Sequence, residues 1–289
     1  MSIVSSRGFI ARIFRAANAV RACALLAAFG AVVASGAANA AAGQCIAHSP
    51  AHRVALVELY SSEGCDSCPP ADHWLSQWKE GAAAQGIVPL ALHVDYWNSL
   101  GWTDRFSQHR FTERQQSLTD LAGGHTIYTP EVFVAGRELR SWSSTDSFDD
   151  RLRRIVGEPA AADVSVALAP HAGGAANAVD VDAQFASHMP NASATNPLNA
   201  YIAVYENSLV SQVRAGENSG ATLHHERVVR QWIGPVPLAD GHAQIRRALA
   251  LDDPGAAAPV PAGRFGVVAF VENAATGDVL QAADLPACQ

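Results

Sequence analysis

Residues 54–72 read VALVELYSSEGCDSCPPAD and carry the strongest structural signal in this chain. The seven residues 54–60 are mostly apolar or β-branched, which predicts a buried strand. Apolar residues then recur at i, i+3, i+4 and i+7 from Ala71, which is the spacing of one helix face. A strand that enters a Cys-x-x-Cys turn and continues as a helix is the layout of a thiol–disulfide active site. We therefore predict that Cys65 and Cys68 form a disulfide in this turn.

Cys65 is the predicted nucleophile, and Cys68 is the predicted resolving thiol. The N-terminus of the following helix favours a thiolate, whereas the acids Glu63 and Asp66 beside Cys65 oppose one. An inert disulfide and half of a zinc site are the alternatives, and the lack of a second Cys-x-x-Cys weakens structural zinc. Covalent haem attachment is excluded because Pro69 stands where His is required. Neither a cofactor nor a resident metal is predicted.

The rest of the chain predicts two domains. The pattern indicates strands at 87–96, 131–135 and 138–141, a helix at 104–121, and a last helix capped by Ser143 or Ser144. Together with the first strand and helix, these elements give the order βαβ–α–ββα. After a linker at 157–162, short strand-like runs separated by Gly, Asn, Pro and Asp predict an antiparallel β-sandwich of about seven strands. We expect an α/β domain at 41–158 and a smaller, mainly antiparallel β-sandwich at 163–289.

The N-terminus predicts export. Four arginines precede an apolar, small-residue stretch at 22–35, and Ala38-Asn39-Ala40 offers a cleavage site. The prediction is a signal peptide at 1–40 and a periplasmic or secreted protein, with an uncleaved anchor as the alternative. Cleavage would leave 16 basic and 27 acidic residues, a net charge of −11. This charge argues against nucleic acid and anionic membranes as partners, and no stable membrane insertion is expected after cleavage.

The cysteine count fits an exported protein. Removal of Cys23 with the signal peptide leaves four cysteines, an even number. We pair Cys65 with Cys68, and Cys45 with Cys288 as a link between the chain ends, because cysteines outside the cytosol are usually paired. The expected partners are protein thiols or disulfides, and the oligomeric state is not predicted.

Thr129-Pro130 adds a second motif, directly before a predicted strand. The element order, the Cys-x-x-Cys after the first strand and this Thr-Pro together resemble the thioredoxin fold. The resemblance implies that Pro130 is cis and packs beside the disulfide, and that Thr129 offers its backbone to a substrate chain. Glu58, on the first strand, resembles the buried acid that moves protons to the resolving cysteine, although its spacing is one residue longer.

A narrower resemblance covers both predicted domains. The motifs are ELYSSEGCDSCPPAD at 58–72, HVDYW at 93–97, LGW at 100–102, FTxRQ at 111–115, YTP at 128–130, GENxG at 216–220 continuing to His224, and VVR at 228–230. They resemble the exported, thioredoxin-like family named domain of unknown function 1223. This resemblance implies a fold and an export route, and it implies no established substrate.

Two further functions remain open at this point. A Cu(I) site could combine Cys65 and Cys68 with a distant histidine, His93 or His125, as in copper chaperones. His224 and His225 cannot easily share one metal on a strand, because neighbouring side chains point to opposite faces.

The second alternative is a non-enzymatic binding module with its recognition surface on the β domain. Glu217-Asn218-Ser219 reads as a hairpin corner there, with an acidic binding edge as the other interpretation. Asp95, Tyr96, Trp97 and Trp102 could shape a substrate groove beside Cys65 or form a packed rim under the next helix.

Overall fold

The computed structural model describes residues 45–79, 83–171, 178–189, 197–251 and 262–286. The predicted signal peptide at 1–40 lies outside these residues, and so does Cys288, the predicted partner of Cys45. None of the helices within the described ranges is long and apolar enough to cross a membrane. Export and the Cys45–Cys288 disulfide therefore stay predictions.

Strands outnumber helices in the described part of the chain. The strands are β1 (Cys45–His48), β2 (Ala55–Ser61), β3 (Ile87–His93), β4 (Glu131–Val134), β5 (Arg137–Glu138), β6 (Ala162–Pro170), β7 (Ala178–Ser187), β8 (Leu198–Glu206), β9 (Leu209–Gln212), β10 (Thr222–His225), β11 (Val228–Pro237), β12 (His242–Ala250), β13 (Phe265–Asn273) and β14 (Val279–Pro286). The α-helices are α1 (Pro69–Ser76), α2 (His109–Leu121) and α3 (Thr145–Val156).

An eight-stranded mixed sheet in the order β14-β13-β8-β11-β3-β2-β4-β5 runs through both halves of the chain. β2 and β3 are parallel and are connected through α1, and β11 lies parallel to β3 on its other side. A second sheet, β1-β6-β7-β12, packs on the β8, β13 and β14 part of the first through a shared apolar core. β9 and β10 form a separate antiparallel hairpin.

The predicted fold class, a thioredoxin-like α/β domain followed by a separate β-sandwich, is wrong. The molecule is mostly β-sheet, and strands from both parts of the chain share the large sheet. The physical reason is the edge of β3. An uncovered edge strand leaves unpaired backbone groups, and here the N–H of Ala91 donates to the carbonyl of Arg227 at 2.9 Å. Local hydrophobic patterns do not specify which distant strand covers such an edge.

The independence of two domains depends on the core that each part of the chain buries by itself. The predicted limits, 41–158 and 163–289, therefore stay a prediction.

Arg227 anchors the junction between β11 and β3. Its side chain is buried, and its Nε donates to the carbonyl of Pro89 at 2.9 Å. Its Nη2 pairs with Asp284 at 2.9 Å, and its guanidinium lies 3.7 Å from the centre of the Tyr205 ring. A buried charge is tolerated when it is paired and hydrogen-bonded, so these contacts allow a cation to sit inside the sheet junction.

The helices cover the sheet through aromatic and apolar contacts. Trp74 of α1 packs edge-on against Phe148 of α3, with ring centres 5.2 Å apart. α2 buries Phe111 and Leu118. The predicted cap of the last helix is confirmed at Ser144, whose side chain accepts a hydrogen bond from the N–H of Ser147.

Candidate functional site

The Cys65–Cys68 disulfide lies in the turn between β2 and α1. The two Cα atoms are 5.5 Å apart, and the predicted pairing is confirmed. Cys68 is the N-cap residue of α1, and Pro69 and Pro70 occupy the first turn. Both cysteines are fully buried, so a substrate thiol can reach neither of them without movement of the residues that cover them.

The structure brings Thr129 and Pro130 to this disulfide. The Sγ of Cys65 lies 3.9 Å from the carbonyl oxygen of Thr129 and 3.3 Å from the hydroxyl of Ser67. The Thr129–Pro130 peptide bond is cis. Four of the five predicted site residues therefore lie at one place, and their chemical roles stay predictions.

Glu58, the fifth predicted site residue, belongs to a buried ion-pair network. Its carboxylate accepts two hydrogen bonds from Arg114, at 2.6 and 3.1 Å. Arg114 also donates to Glu272 at 2.7 Å, and its guanidinium lies 4.9 Å from the centre of the Trp232 ring. The network links β2, α2 and β13 across the core. The proton-relay role of Glu58 stays a prediction, and its contacts give it a structural role.

A loop from the second half of the chain covers the disulfide turn. We call residues 213–221, between β9 and β10, the cap loop. The side-chain amide of Asn218 donates to the carbonyls of Glu63 and Cys65, at 2.9 and 2.8 Å. The carboxylate of Glu217 accepts a hydrogen bond from the N–H of Asp66 at 3.1 Å. The cap loop is thus tied directly to the backbone of the disulfide turn.

The predicted hairpin corner at Glu217-Asn218-Ser219 is confirmed by the antiparallel pairing of the flanking strands. Gly216 has a φ of +74° within this loop, and an added Cβ would lie 3.2 Å from the Cβ of Trp102. A glycine is therefore needed where the cap loop approaches Trp102. Sequence reasoning missed the contact with the disulfide turn, although the GENxG motif belonged to the family resemblance.

Residues 95–102, which follow β3, contact the disulfide turn in part and pack against α2 in part. The indole N–H of Trp102 donates to Glu63 at 2.7 Å. Asp95 instead accepts a hydrogen bond from the Thr112 hydroxyl of α2 at 2.6 Å. These contacts favour the interpretation of a packed rim over that of an open groove.

A second cluster, buried beside the disulfide turn, contains two histidines. The Nδ1 of His93 lies 2.6 Å from the Oδ2 of Asp104. The Nε2 of His225 lies 3.4 Å from Glu63, and its Nδ1 lies 3.6 Å from Asp72. We call these five residues the histidine cluster. Three of them, Asp72, His93 and His225, each offer one potential metal-ligand atom, and these atoms lie within 4.8 Å of one another.

The charges in the histidine cluster shift its pKa values. Burial alone would lower the pKa of His225, but the contacts with Asp72 and Glu63 outweigh it and raise that pKa to about 10. Burial raises the pKa of Glu63, but its contacts with His225 and Ser211 and the hydrogen bond from Trp102 overcome this and lower it. Burial also raises the pKa of Asp104, but the neighbouring His93 outweighs this, and the pKa is lowered overall.

Glu131, directly after Pro130, is a buried acid that the sequence interpretation did not select. Its carboxylate accepts a hydrogen bond from the side-chain amide of Gln115 at 2.6 Å. Burial raises the pKa of Glu131 to about 7. Its position after the Thr-Pro motif was the only local signal available.

The histidines predicted for copper lie in different surroundings. His93 is buried against Asp104, whereas His125 is exposed. His224 is exposed and His225 is buried, which confirms that these neighbours point to opposite faces. Copper binding stays a prediction.

The comparison with protein families decides what the chain is. The family model described as protein of unknown function (DUF1223) matches residues 56–271, most of the chain. The chain belongs to the DUF1223 family. The predicted membership is confirmed, and no curated protein matches this member of the family.

Two solved structures share the fold of this DUF1223 protein. Protein AGR_C_4864 from Agrobacterium tumefaciens is 24% identical, with a TM-score of 0.54, and the match covers 82% of this chain and 96% of that one. HBP35 of Porphyromonas gingivalis is 16% identical, with a TM-score of 0.61, and the match covers 83% and 76%. At these identities the likeness concerns the fold alone.

Proposed function

We propose that this DUF1223 protein exchanges disulfides with thiols of other proteins or small molecules through Cys65 and Cys68. The observation that carries the proposal is the 3.9 Å approach of the Cys65 Sγ to the Thr129 carbonyl. A substrate sulfur bound to Cys65 would lie beside a backbone acceptor just before the start of β4. Backbone groups of this kind can align an extended chain.

Charge around the turn favours the oxidised pair. Pro69 and Pro70 supply no N–H groups to the first turn of α1, and Glu63, Asp66 and Asp72 are acids close to it in the chain. A thiolate is stabilised by N–H dipoles and cations. Because the reduced pair lacks much of this stabilisation, we expect a low reduction potential and transfer of electrons from the cysteines to a substrate disulfide.

The proposed reaction has two steps. The Cys65 thiolate attacks a substrate disulfide, forms a mixed disulfide and releases one substrate thiolate. The Cys68 thiolate then attacks Cys65, the bond to the substrate breaks, and the second substrate thiolate leaves. The substrate gains the two electrons that the cysteine pair loses, and the thiol protons pass to the two released sulfurs. A dithiol donor would reduce the Cys65–Cys68 disulfide again.

The test is mixed-disulfide trapping in matched variants. Cys68→Ala leaves the nucleophile without its resolving thiol, so it is expected to accumulate a mixed disulfide with a disulfide-containing peptide. Cys65→Ala, the control, is expected to accumulate much less. Mass spectrometry measures both products.

The reduction potential of the wild-type pair provides the second measurement. Equilibration with dithiothreitol is expected to give a reduction potential within the range of biological dithiols. A potential far below about −300 mV, together with equal trapping in both variants, would show an inert structural disulfide.

A further inference from the structure

Asp72, His93 and His225 converge from three separate elements of the fold. Asp72 lies on α1, His93 ends β3 and His225 ends β10. We propose that these three side chains bind a divalent cation of the Zn²⁺ class. The site is separate from the cysteines, because its proposed ligands lie on α1, β3 and β10 and not in the disulfide turn.

Unpaired ring nitrogens are the first observation that supports this site. His93 is fully buried and His225 is 2% exposed. The Nε2 of His93 and both ring nitrogens of His225 have no hydrogen-bond partner among the described residues. The contacts of His225, at 3.4 and 3.6 Å, are longer than ordinary N–H···O bonds. Buried polar atoms are normally paired, so these nitrogens indicate a ligand-binding site.

The carboxylates behind the histidines are the second observation. A histidine that binds a metal through one ring nitrogen usually donates its other N–H to a carboxylate, which fixes the tautomer and the ring orientation. Asp104 lies 2.6 Å from the Nδ1 of His93, which leaves Nε2 for the metal. Glu63 lies nearest the Nε2 of His225, which leaves Nδ1 on the side of Asp72.

The supporting carboxylates are themselves held in place. Asp104 accepts hydrogen bonds from the N–H groups of Phe106, at 2.8 Å, and Glu63, at 2.9 Å. Glu63 accepts a hydrogen bond from the indole of Trp102. Both histidine rings are therefore backed by carboxylates that have fixed positions.

Charge balance is the third observation. Glu63, Asp72 and Asp104 are all buried, and several buried carboxylates together require a compensating cation. A divalent cation provides more compensation than one proton on His225 does. A proton on His225 is the competing occupant, and the experiment below distinguishes the two.

The donor set indicates the class of metal. Two imidazoles and one carboxylate suit Zn²⁺ and neighbouring first-row divalent ions, whereas Cu(I) prefers thiolate ligands. Bonds of about 2.0–2.2 Å place tetrahedral ligand atoms about 3.3–3.5 Å apart. Ligand atoms within 4.8 Å of one another reach this spacing through small side-chain rotations.

The site would stabilise the surroundings of the disulfide. The N–H of Asp72 donates to the carbonyl of Cys68 at 3.1 Å, and Glu63 is two residues before Cys65. His225 ends the hairpin that carries the cap loop. A bound metal would therefore connect α1, β3 and this hairpin around the turn.

The test is Zn²⁺ binding to the chelator-treated, oxidised protein, measured by competition with a chromophoric chelator. Because both cysteines are in their disulfide, they cannot act as ligands in this experiment. We expect one Zn²⁺ per chain, and a loss of affinity of about 100-fold or more in His225→Ala and in Asp72→Asn. His224→Ala, the exposed neighbour, is the matched control and is expected to bind normally.

A second variant distinguishes a loss of Zn²⁺ binding from a failure to fold. Asp104→Asn keeps every proposed ligand and nearly the same shape, and it should weaken Zn²⁺ binding about 10- to 100-fold. Weak binding unaffected by His225→Ala and Asp104→Asn would overturn the proposal. Binding that instead requires reduced Cys65 and Cys68 would also overturn it, in favour of a thiolate site.

Discussion

Two buried polar clusters lie in the same core and differ in how completely they are paired. In the first, Arg114 joins Glu58 and Glu272 through three hydrogen bonds of 2.6 to 3.1 Å. In the second, His93 and His225 keep ring nitrogens without a hydrogen-bond partner among the residues described. A fully paired network stabilises a fold, whereas a partly paired one beside a reactive turn indicates a ligand. This difference gives Glu58 a structural role and makes the histidine cluster a candidate binding site.

The largest expected effect comes from breaking the paired network. Glu58→Ala leaves the Arg114 cation partly uncompensated in the core, so we expect a loss of about 3–5 kcal/mol in the free energy of unfolding. Urea denaturation measures this loss. Glu113→Ala, on the exposed face of the same helix as Arg114, is the control and should change stability by less than about 0.5 kcal/mol. A stable Glu58→Ala protein that cannot exchange disulfides would assign Glu58 to catalysis instead.

The histidine cluster should respond to metal where the paired network does not. Zn²⁺ at 100 times its dissociation constant is expected to raise the free energy of unfolding of the wild-type protein by about 3 kcal/mol. His224→Ala should gain as much, and His225→Ala should gain almost nothing. Denaturation with and without Zn²⁺ provides the measurement. An equal gain in both variants would place the ion elsewhere.

Glu131 is a third case, a buried acid whose hydrogen-bond partner, Gln115, carries no charge. Burial raises its pKa to about 7 from an ordinary value of 4.5, so the folded state holds its proton more tightly than the unfolded state does. Its contribution to stability is present below about pH 4.5 and is lost as the pH rises through 7. Glu131→Gln should reduce the stability difference between pH 5 and pH 8 by about 2 kcal/mol.

Urea denaturation at both pH values tests this expectation, with Glu113→Gln, an exposed acid on α2, as the control. An unchanged pH dependence in Glu131→Gln would show that the carboxyl is already ionised at pH 5.

The smallest expected effect concerns the cap loop. Asn218→Ala removes two hydrogen bonds to the disulfide turn, at 2.9 and 2.8 Å. If this lowers the free energy that holds the cap loop closed by about 1.4 kcal/mol, the loop should open about tenfold more often. Reduction of the Cys65–Cys68 disulfide by dithiothreitol should accelerate by the same factor, as measured by alkylation of the released thiols. Ser219→Ala, on the exposed side of the loop, should leave the rate unchanged.

Local sequence signals located single elements well and their assembly poorly. The strand at 54–60 and the helix that carries Arg114 were predicted within a few residues of β2 and α2, because hydrophobic periodicity depends on near neighbours. The pairing of β11 with β3 was missed, since periodicity contains no information about distant partners. That pairing puts strands from both parts of the chain into one sheet, and it contradicts the predicted fold class.

The candidate site shows the same limit. Cys65 and Cys68 were predictable because their spacing and helix context are local, and Thr129 was placed beside them through a family resemblance. Glu58 could not be assigned, because its partner Arg114 is 56 residues away. Asn218 and His225 were missed for the same reason, since their contacts with the disulfide turn and with Asp72 span more than 150 residues.

The amino-acid sequence alone determined the family, the strand–turn–helix that contains the cysteines, and the opposite faces of His224 and His225. These features depend on motif, spacing and strand alternation, which act over a few residues. The tertiary structure alone decided the eight-stranded sheet, the cap over the disulfide and the assembly of the histidine cluster. Such features arise when burial brings distant charges and strand edges together, and the local sequence pattern does not specify which distant residues meet there.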